Sequence, residues 1–319
     1  MIRLLARRLA FALLVMWVVA TGVFALYFVA PNNVARTIAG RQATEQTVEL
    51  VRRRLGLDQP IPVQYVRFLG RLARGDLGYS FVNSQPVSEV IRRDLPVTAS
   101  LALGAAIIWL AIGIGAGSLA ATRPGSAADR VVTGASLFFY SMPTFLLGQI
   151  FLLLLFYRLT VAGYPIFPPS GYVPLTEDPA QWARHLILPW LTLALVTAAT
   201  YARLTRGAML DVLGEDYIRT ARAKGISEGR ITYRHALRSA IAPVITQFGI
   251  DVGILLGGAV VTEQVFGLPG LGREAVQAIT TEDLPVIMGI ALLASLFVVV
   301  ASIVVDLCYA LVDPRVRVR

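Results

Sequence analysis

Among residue types able to do chemistry, lysine, histidine and cysteine are the scarcest: the 319-residue chain holds only Lys224, His185, His235 and Cys308. A phosphate-binding loop needs Gly-Lys-Ser/Thr. Lys224 stands between Ala223 and Gly225, so the chain supplies no such ATP site. Two histidines and one cysteine cannot build the usual zinc or metal-hydrolase constellations. A single cysteine also closes no internal disulfide and leaves the redox compartment unread. The chemistry that remains lies in a few carboxylates within apolar sequence (Asp251, Glu263 and Asp306) and in a basic, helix-forming stretch at 203–243.

The elements that must position these groups are apolar. Hydrophobic residues make up 56% of the chain and charged residues 15%, against roughly 25% charged in soluble domains. Six apolar runs stand out, at about 9–30, 98–121, 131–157, 186–205, 243–262 and 285–311. Each is near the ~20 residues that cross a hydrocarbon core. The expected fold is therefore an all-α, multi-pass membrane protein of about six transmembrane helices. The first run, about 22 residues after Arg3, Arg7 and Arg8, is too long for a signal-peptide core and is expected to be a retained span. Pro143 should bend the third span, and Pro189 sits near the start of the fourth.

Basic residues orient the spans. With the N-terminus inside, sixteen lysines and arginines fall on the cytoplasmic side, and the two short outer loops hold Arg158, Arg184 and Arg273. Both termini are then cytoplasmic. The net charge of +9 sits at the ends of apolar runs, which argues for membrane lipid rather than nucleic acid as its neighbour. Residues 31–97 form an extracytoplasmic segment. Thr44, Val48, Val51 and Leu55 mark a short capped helix ending at Gly56, and Tyr65, Phe68, Leu69 and Leu72 mark a second over 62–74. The turn Gly75-Asp76-Leu77-Gly78 follows. The organisation expected is a first span (1–30), this outer helical region (31–97) and a five-helix core (98–319) with an inner loop at about 203–242.

Small residues at four-residue spacing, Gly113 with Gly117 and Gly249 with Gly253 and Gly257, predict close helix packing. Asp251 in the fifth span is costly in lipid, by about 2.5–3.5 kcal/mol at a helix centre. It is expected to face the bundle interior or a wet cavity beside Gln247 or Glu263. Ser141 and Pro143 mark a bend beside the same path.

The inner loop is the most informative stretch. Glu215 and Asp216 open it and Arg222 and Lys224 close it, matching a helix macrodipole, and Gly225 supplies the stop. Ser227 can cap a second helix running through Arg234, His235 and Leu237 toward Pro243. The run Tyr217-Ile218-Arg219-Thr220-Ala221-Arg222-Ala223-Lys224-Gly225 resembles the cytoplasmic loop of binding-protein-dependent ABC importer permeases. The general motif there is Glu-Ala-Ala, three residues, Gly. Arg219 and Thr220 replace its first two residues, while Ala221 and Gly225 keep it. Arg238 occupies the place of its later proline. His235-Ala236-Leu237-Arg238 and Pro243 are similar to the dipeptide, oligopeptide and nickel branch. So are Leu55-Gly56-Leu57-Asp58-Gln59-Pro60, Gly75-Asp76-Leu77-Gly78, Glu263, Phe266, Pro269-Gly270-Leu271-Gly272, Asp306, Tyr309 and Asp313-Pro314-Arg315. Four matches in order point to the B-type permease of that branch.

The resemblance implies a type I ABC importer permease in the cell (inner or plasma) membrane, with no enzyme activity or cofactor of its own. ATP and Mg would be bound by one or two partner ATPase subunits. A second, homologous permease would complete the translocation path, and an extracytoplasmic solute-binding protein would deliver a di- or oligopeptide. A helix near 216–226 would couple to an ATPase, with Ile218 and Ala221 as a docking face and Arg219, Arg222 and Lys224 pairing with acids. Nickel or another small solute is the alternative cargo. A secondary transporter is the rival class, but would show more intramembrane ionisable groups.

Overall fold

A computed structural model describes residues 2–26, 35–36, 43–54, 56–80 and 82–312, without the side chains of 2–7, 54, 253, 254, 256–258 and 305–312. Arg3, Arg7, Leu55, Gly253, Gly257, Asp306, Cys308, Tyr309 and Asp313-Pro314-Arg315, named above, fall wholly or in their side chains outside that description. The helices are α1 (Ile2–Phe24), α2 (Glu45–Arg54), α3 (Ile61–Ala73), α4 (Val87–Thr122), α5 (Ala127–Tyr140), α6 (Thr144–Val161), α7 (Pro179–Leu213), α8 (Asp216–Ala223), α9 (Leu237–Phe266), α10 (Leu271–Thr280) and α11 (Leu284–Val312). One hairpin, β1 (Tyr79–Ser80) with β2 (Gln85–Pro86), pairs antiparallel. Among the described residues the apolar runs are helical, apart from a break at 141–143 in the third. Among the described residues, α4, α6, α7 and α11 are long and apolar enough to cross a membrane, and Arg8–Phe24 is a shorter apolar helix.

Several boundaries differ from expectation. The third run is broken rather than bent: α5 stops at Tyr140 and α6 starts after Pro143, whose missing N–H cannot continue the ladder. Helix α4 starts at Val87, well before the apolar run, because its first turns are polar but helix-forming. Helix α7 begins at Pro179, so Pro189 lies buried inside it rather than near its start. Ser227 precedes a helical turn but makes no side-chain cap, and the helix from 228 onward runs into α9 and continues past Pro243.

The chain divides into two compact units, Met1–Leu95 with Glu274–Val300 and Pro96–Arg273 with Ala301–Arg319. In the first, α3 lays Tyr65, Phe68, Leu69 and Leu72 against Ala20 and Phe24 of α1 and Leu292 of α11. The Thr21 and Tyr65 hydroxyls share a hydrogen bond of 2.6 Å. Thr44 Oγ1 accepts from the Thr47 N–H, and Gly56 has φ +70, so α2 is capped at its start and stopped at its end as its sequence predicts. Ser80 donates to Asp283 (2.5 Å) and Asn83 to Glu274 (2.7 Å), which ties the hairpin to α10 and the turn after it.

In the second unit, α4, α7 and α9 enclose a core of Leu101, Ala105, Trp109, Leu186, Ala194, Tyr201 and Ala259. A Cβ on Gly113 would fall 2.4 Å from Tyr201 Cβ, and one on Gly117 would fall 2.5 Å from the Ala202 carbonyl oxygen. The predicted small-residue contact is therefore between α4 and α7.

Candidate functional site

Helix α8 is built as its sequence requires. Asp216 occupies the first turn, Arg222 the last, and Gly225 takes φ +74 just past the end. The Ile226 N–H reaches the Ala221 carbonyl at 3.2 Å and closes the stop. Two side chains fix the helix to the rest of its unit. Ile218 (0% exposed) and Ala221 pack among Ala121, Met209, Ile231, Ala236 and Ala240. These two cannot serve as an outward docking face: three apart on a helix, they form the inward stripe of an amphipathic turn.

The outward face carries Tyr217, Arg219, Thr220, Arg222 and Lys224. Tyr217 donates to Ser239 Oγ at 3.1 Å, which braces α8 against α9. Arg219 meets Asp216 at 3.2 Å, and Arg222 grips Glu228 through two N–H groups at 2.9 and 3.4 Å. Exposed pairs such as these contribute little. The helix is thus a short rigid rod with an apolar root, presenting basic groups outward.

A second rigid joint lies beside this loop, and its partners are 77 positions apart. Arg206 of α7 donates to both carboxylate oxygens of Asp129 at 2.6 and 2.9 Å. The Arg206 guanidinium, and then the Gly125 N–H, hold the Asp129 carboxyl down to about 2. Ser126 caps α5 by accepting from the Asp129 N–H. Nearby, the Arg203 guanidinium lies 4.5 Å over the Tyr140 ring. Asp129, Arg206 and Arg203 escaped the sequence analysis. The available signal was Ser126 with Asp129 three residues later, a helix-start pattern.

Of the path candidates, Gln247 and Asp251 come together: Gln247 Nε2 donates to Asp251 Oδ1 at 2.9 Å. Glu263 does not join them. It lies twelve residues further along α9, about 18 Å at 1.5 Å per residue, and is fully buried. Thr98 donates to its Oε1 at 2.6 Å and the Arg273 N–H to its Oε2 at 2.9 Å, while the Leu271 N–H reaches Thr98 Oγ1. Glu263 fastens the loop from Gly267 to Arg273 to α4. Ser141 and Pro143 sit exposed at the break between α5 and α6.

Residues 113–318 match the model of the family described as binding-protein-dependent transport system inner membrane component, and residues 1–102 match its N-terminal companion. The chain belongs to this family. It is an inner-membrane, multi-pass transport component of the ABC type.

Its relatives extend over its whole length. It is 44% identical to a protein of Brucella abortus (strain 2308) named as a peptide transport system permease, with 99% of each chain covered. It is 39% identical to the di/tripeptide transport system permease protein DppB of Pseudomonas aeruginosa (strain UCBPP-PA14), again covering 99% of each. Identity to the glutathione transport system permease protein GsiC of Escherichia coli O6:H1 is 38%, with full coverage of both. Among solved structures, a chain of the inward-facing MetNI methionine ABC transporter shares the fold at 21% identity. Its TM-score is 0.54, over 70% of this chain and 96% of that one. The type I importer permease architecture follows from family and fold together.

Proposed function

We propose that this permease imports di- or oligopeptides as one half of a translocation path, driven by ATPase subunits that dock on α8. The observation that carries the coupling role is the construction of α8: an apolar root at Ile218 and Ala221 with Tyr217, Arg219, Thr220, Arg222 and Lys224 turned outward. A helix so rooted moves as one body with α7 and α9, which is what converts closure of two ATPases into a choice between inward and outward openings. ATP and Mg are bound by those partners, and a solute-binding protein delivers cargo from outside. The cap of α2 and α3 lies on that outer side, with both chain termini in the cytoplasm.

The peptide cargo is supported by the names of the full-length relatives. A second, homologous permease is supported by the break at 141–143. Non-helical backbone at membrane depth is tolerated only against protein or a water-filled cavity, and Ser141 and Pro143 are exposed in this chain alone. The test is ATP-dependent uptake of labelled di- and tripeptides by proteoliposomes holding this chain, a partner permease, ATPase subunits and a binding protein. Uptake of nickel in place of every peptide would shift the cargo, and uptake without ATP would restore the secondary-transporter alternative.

A further inference from the structure

Asp251 stands 14 residues from the start of α9 and 15 from its end, or about 21–22 Å from each. Among the described residues it is the one acidic side chain in the middle of an apolar run (243–262); Asp129, Asp211 and Glu263 lie at helix ends. Its hydrogen-bond partner is the neutral amide of Gln247, and no ion pair to it occurs among the described residues. A carboxylate at that depth needs a cation or a wet cavity.

The surroundings are prepared for a charge but leave it unmatched. Tyr201 and Trp109 are 0% and 1% exposed. The Tyr201 hydroxyl lies beside the Asp251 carboxylate and the Trp109 indole. Yet neither that hydroxyl nor Trp109 Nε1 completes a hydrogen bond of ordinary geometry among the described residues. Both groups are donors that favour a negative charge here without supplying a cation. The Trp109 ring lies 6.1 Å from that of Tyr201 and 6.2 Å from that of Phe248, so three aromatic faces gather there. On the other side, Gln247 lines an open cleft with Leu204, Ala242, Pro243 and Thr246. Because Gln247 donates through Nε2, its Oε1 remains as an acceptor at the cleft.

We infer that Asp251 and Gln247 form a mid-membrane station for the α-ammonium group of the peptide in transit, the carboxylate and amide oxygens accepting its N–H groups. This deepens the peptide-import function and rests on it. An ammonium that reaches the cleft at Gln247 supplies the missing cation to Asp251. Uncharged and acidic solutes gain nothing at this point.

The test uses the reconstituted transporter with binding protein, comparing a tripeptide with its des-amino analogue, each at a concentration shown by direct titration to saturate the binding protein. In Asp251→Asn, uptake of the free-amine tripeptide is expected to fall about tenfold or more, as for loss of a charged hydrogen-bonded partner. Uptake of the des-amino analogue should change less than twofold, and Asp251→Glu should recover most of the loss. Equal loss for both peptides means a structural carboxylate and overturns the inference, as does an unchanged free-amine rate. If the wild type carries neither peptide, the peptide function itself fails and the station with it.

Discussion

Arg206 and Asp129 are joined by two parallel hydrogen bonds of 2.6 and 2.9 Å between α7 and the start of α5. This pair locks the C-terminal part of α7, which leads directly into α8, to the first turn of α5. The depressed Asp129 carboxyl sets the sign of its pH dependence. Its contribution to stability is complete above the ordinary carboxylate value of ~3.9 and is lost as pH falls toward about 2. In detergent, the wild-type unfolding midpoint should therefore drop over that acid window, and Asp129→Asn should start lower and lack that part of the drop. Reversing the pair (Asp129→Arg with Arg206→Asp) should recover more stability than either single change, as a double-mutant cycle would measure.

Glu263 and Gly270 are the second joint to break. A Cβ on Gly270 would sit 2.3 Å from the Glu263 carboxylate. Gly270→Ala should destabilise the assembled permease by about 1–3 kcal/mol through overpacking. Glu263→Ala should cost a similar 1–3 kcal/mol or so by orphaning the buried Thr98 hydroxyl and Arg273 N–H. Thermal unfolding of the purified complex reads both. Glu263→Gln should be milder for stability, because the amide keeps one acceptor oxygen.

The root and the face of α8 should separate cleanly. Ile218→Ala leaves a cavity among Met209, Ile231 and Ala240 and should cost about 2–5 kcal/mol of local stability. Gly225→Ala forces a Cβ into φ +74 and should cost roughly 1–2 kcal/mol. Arg219→Glu with Lys224→Glu should leave the unfolding midpoint nearly unchanged, because both are exposed, while weakening retention of the ATPases on co-purification.

The apolar helices, the short helices α2 and α3 and the stop at Gly225 were legible because they are written in local sequence: apolar runs, caps and a glycine at φ > 0. Ile218 and Ala221 were assigned the wrong face because periodicity gives an apolar stripe without saying what covers it. Their cover comes from α7 and the helix entering α9. The Asp129–Arg206 and Thr98–Glu263 contacts bridge 77 and 165 positions, and a single sequence carries no signal for such pairings. Pro143 announced a disturbance, but whether a proline bends or ends a helix depends on what satisfies the freed carbonyls. Pro189, buried in α7, and Pro243, exposed on α9, each sit inside a helix that continues past them.

With α8 as the surface on which an ATPase rides, site-directed crosslinking reads the contact itself. Single cysteines at Arg219, Thr220, Arg222 and Lys224, in a Cys308→Ser background, would be compared with one at Ile218 in membranes containing the whole transporter. Efficient crosslinks from the four exposed positions to an ATPase subunit, with little from Ile218 and a change in yield on adding ATP, are the predicted result. An absence of crosslinks at all four exposed positions, in a transporter that still imports peptide, would contradict the account and move coupling elsewhere on the chain.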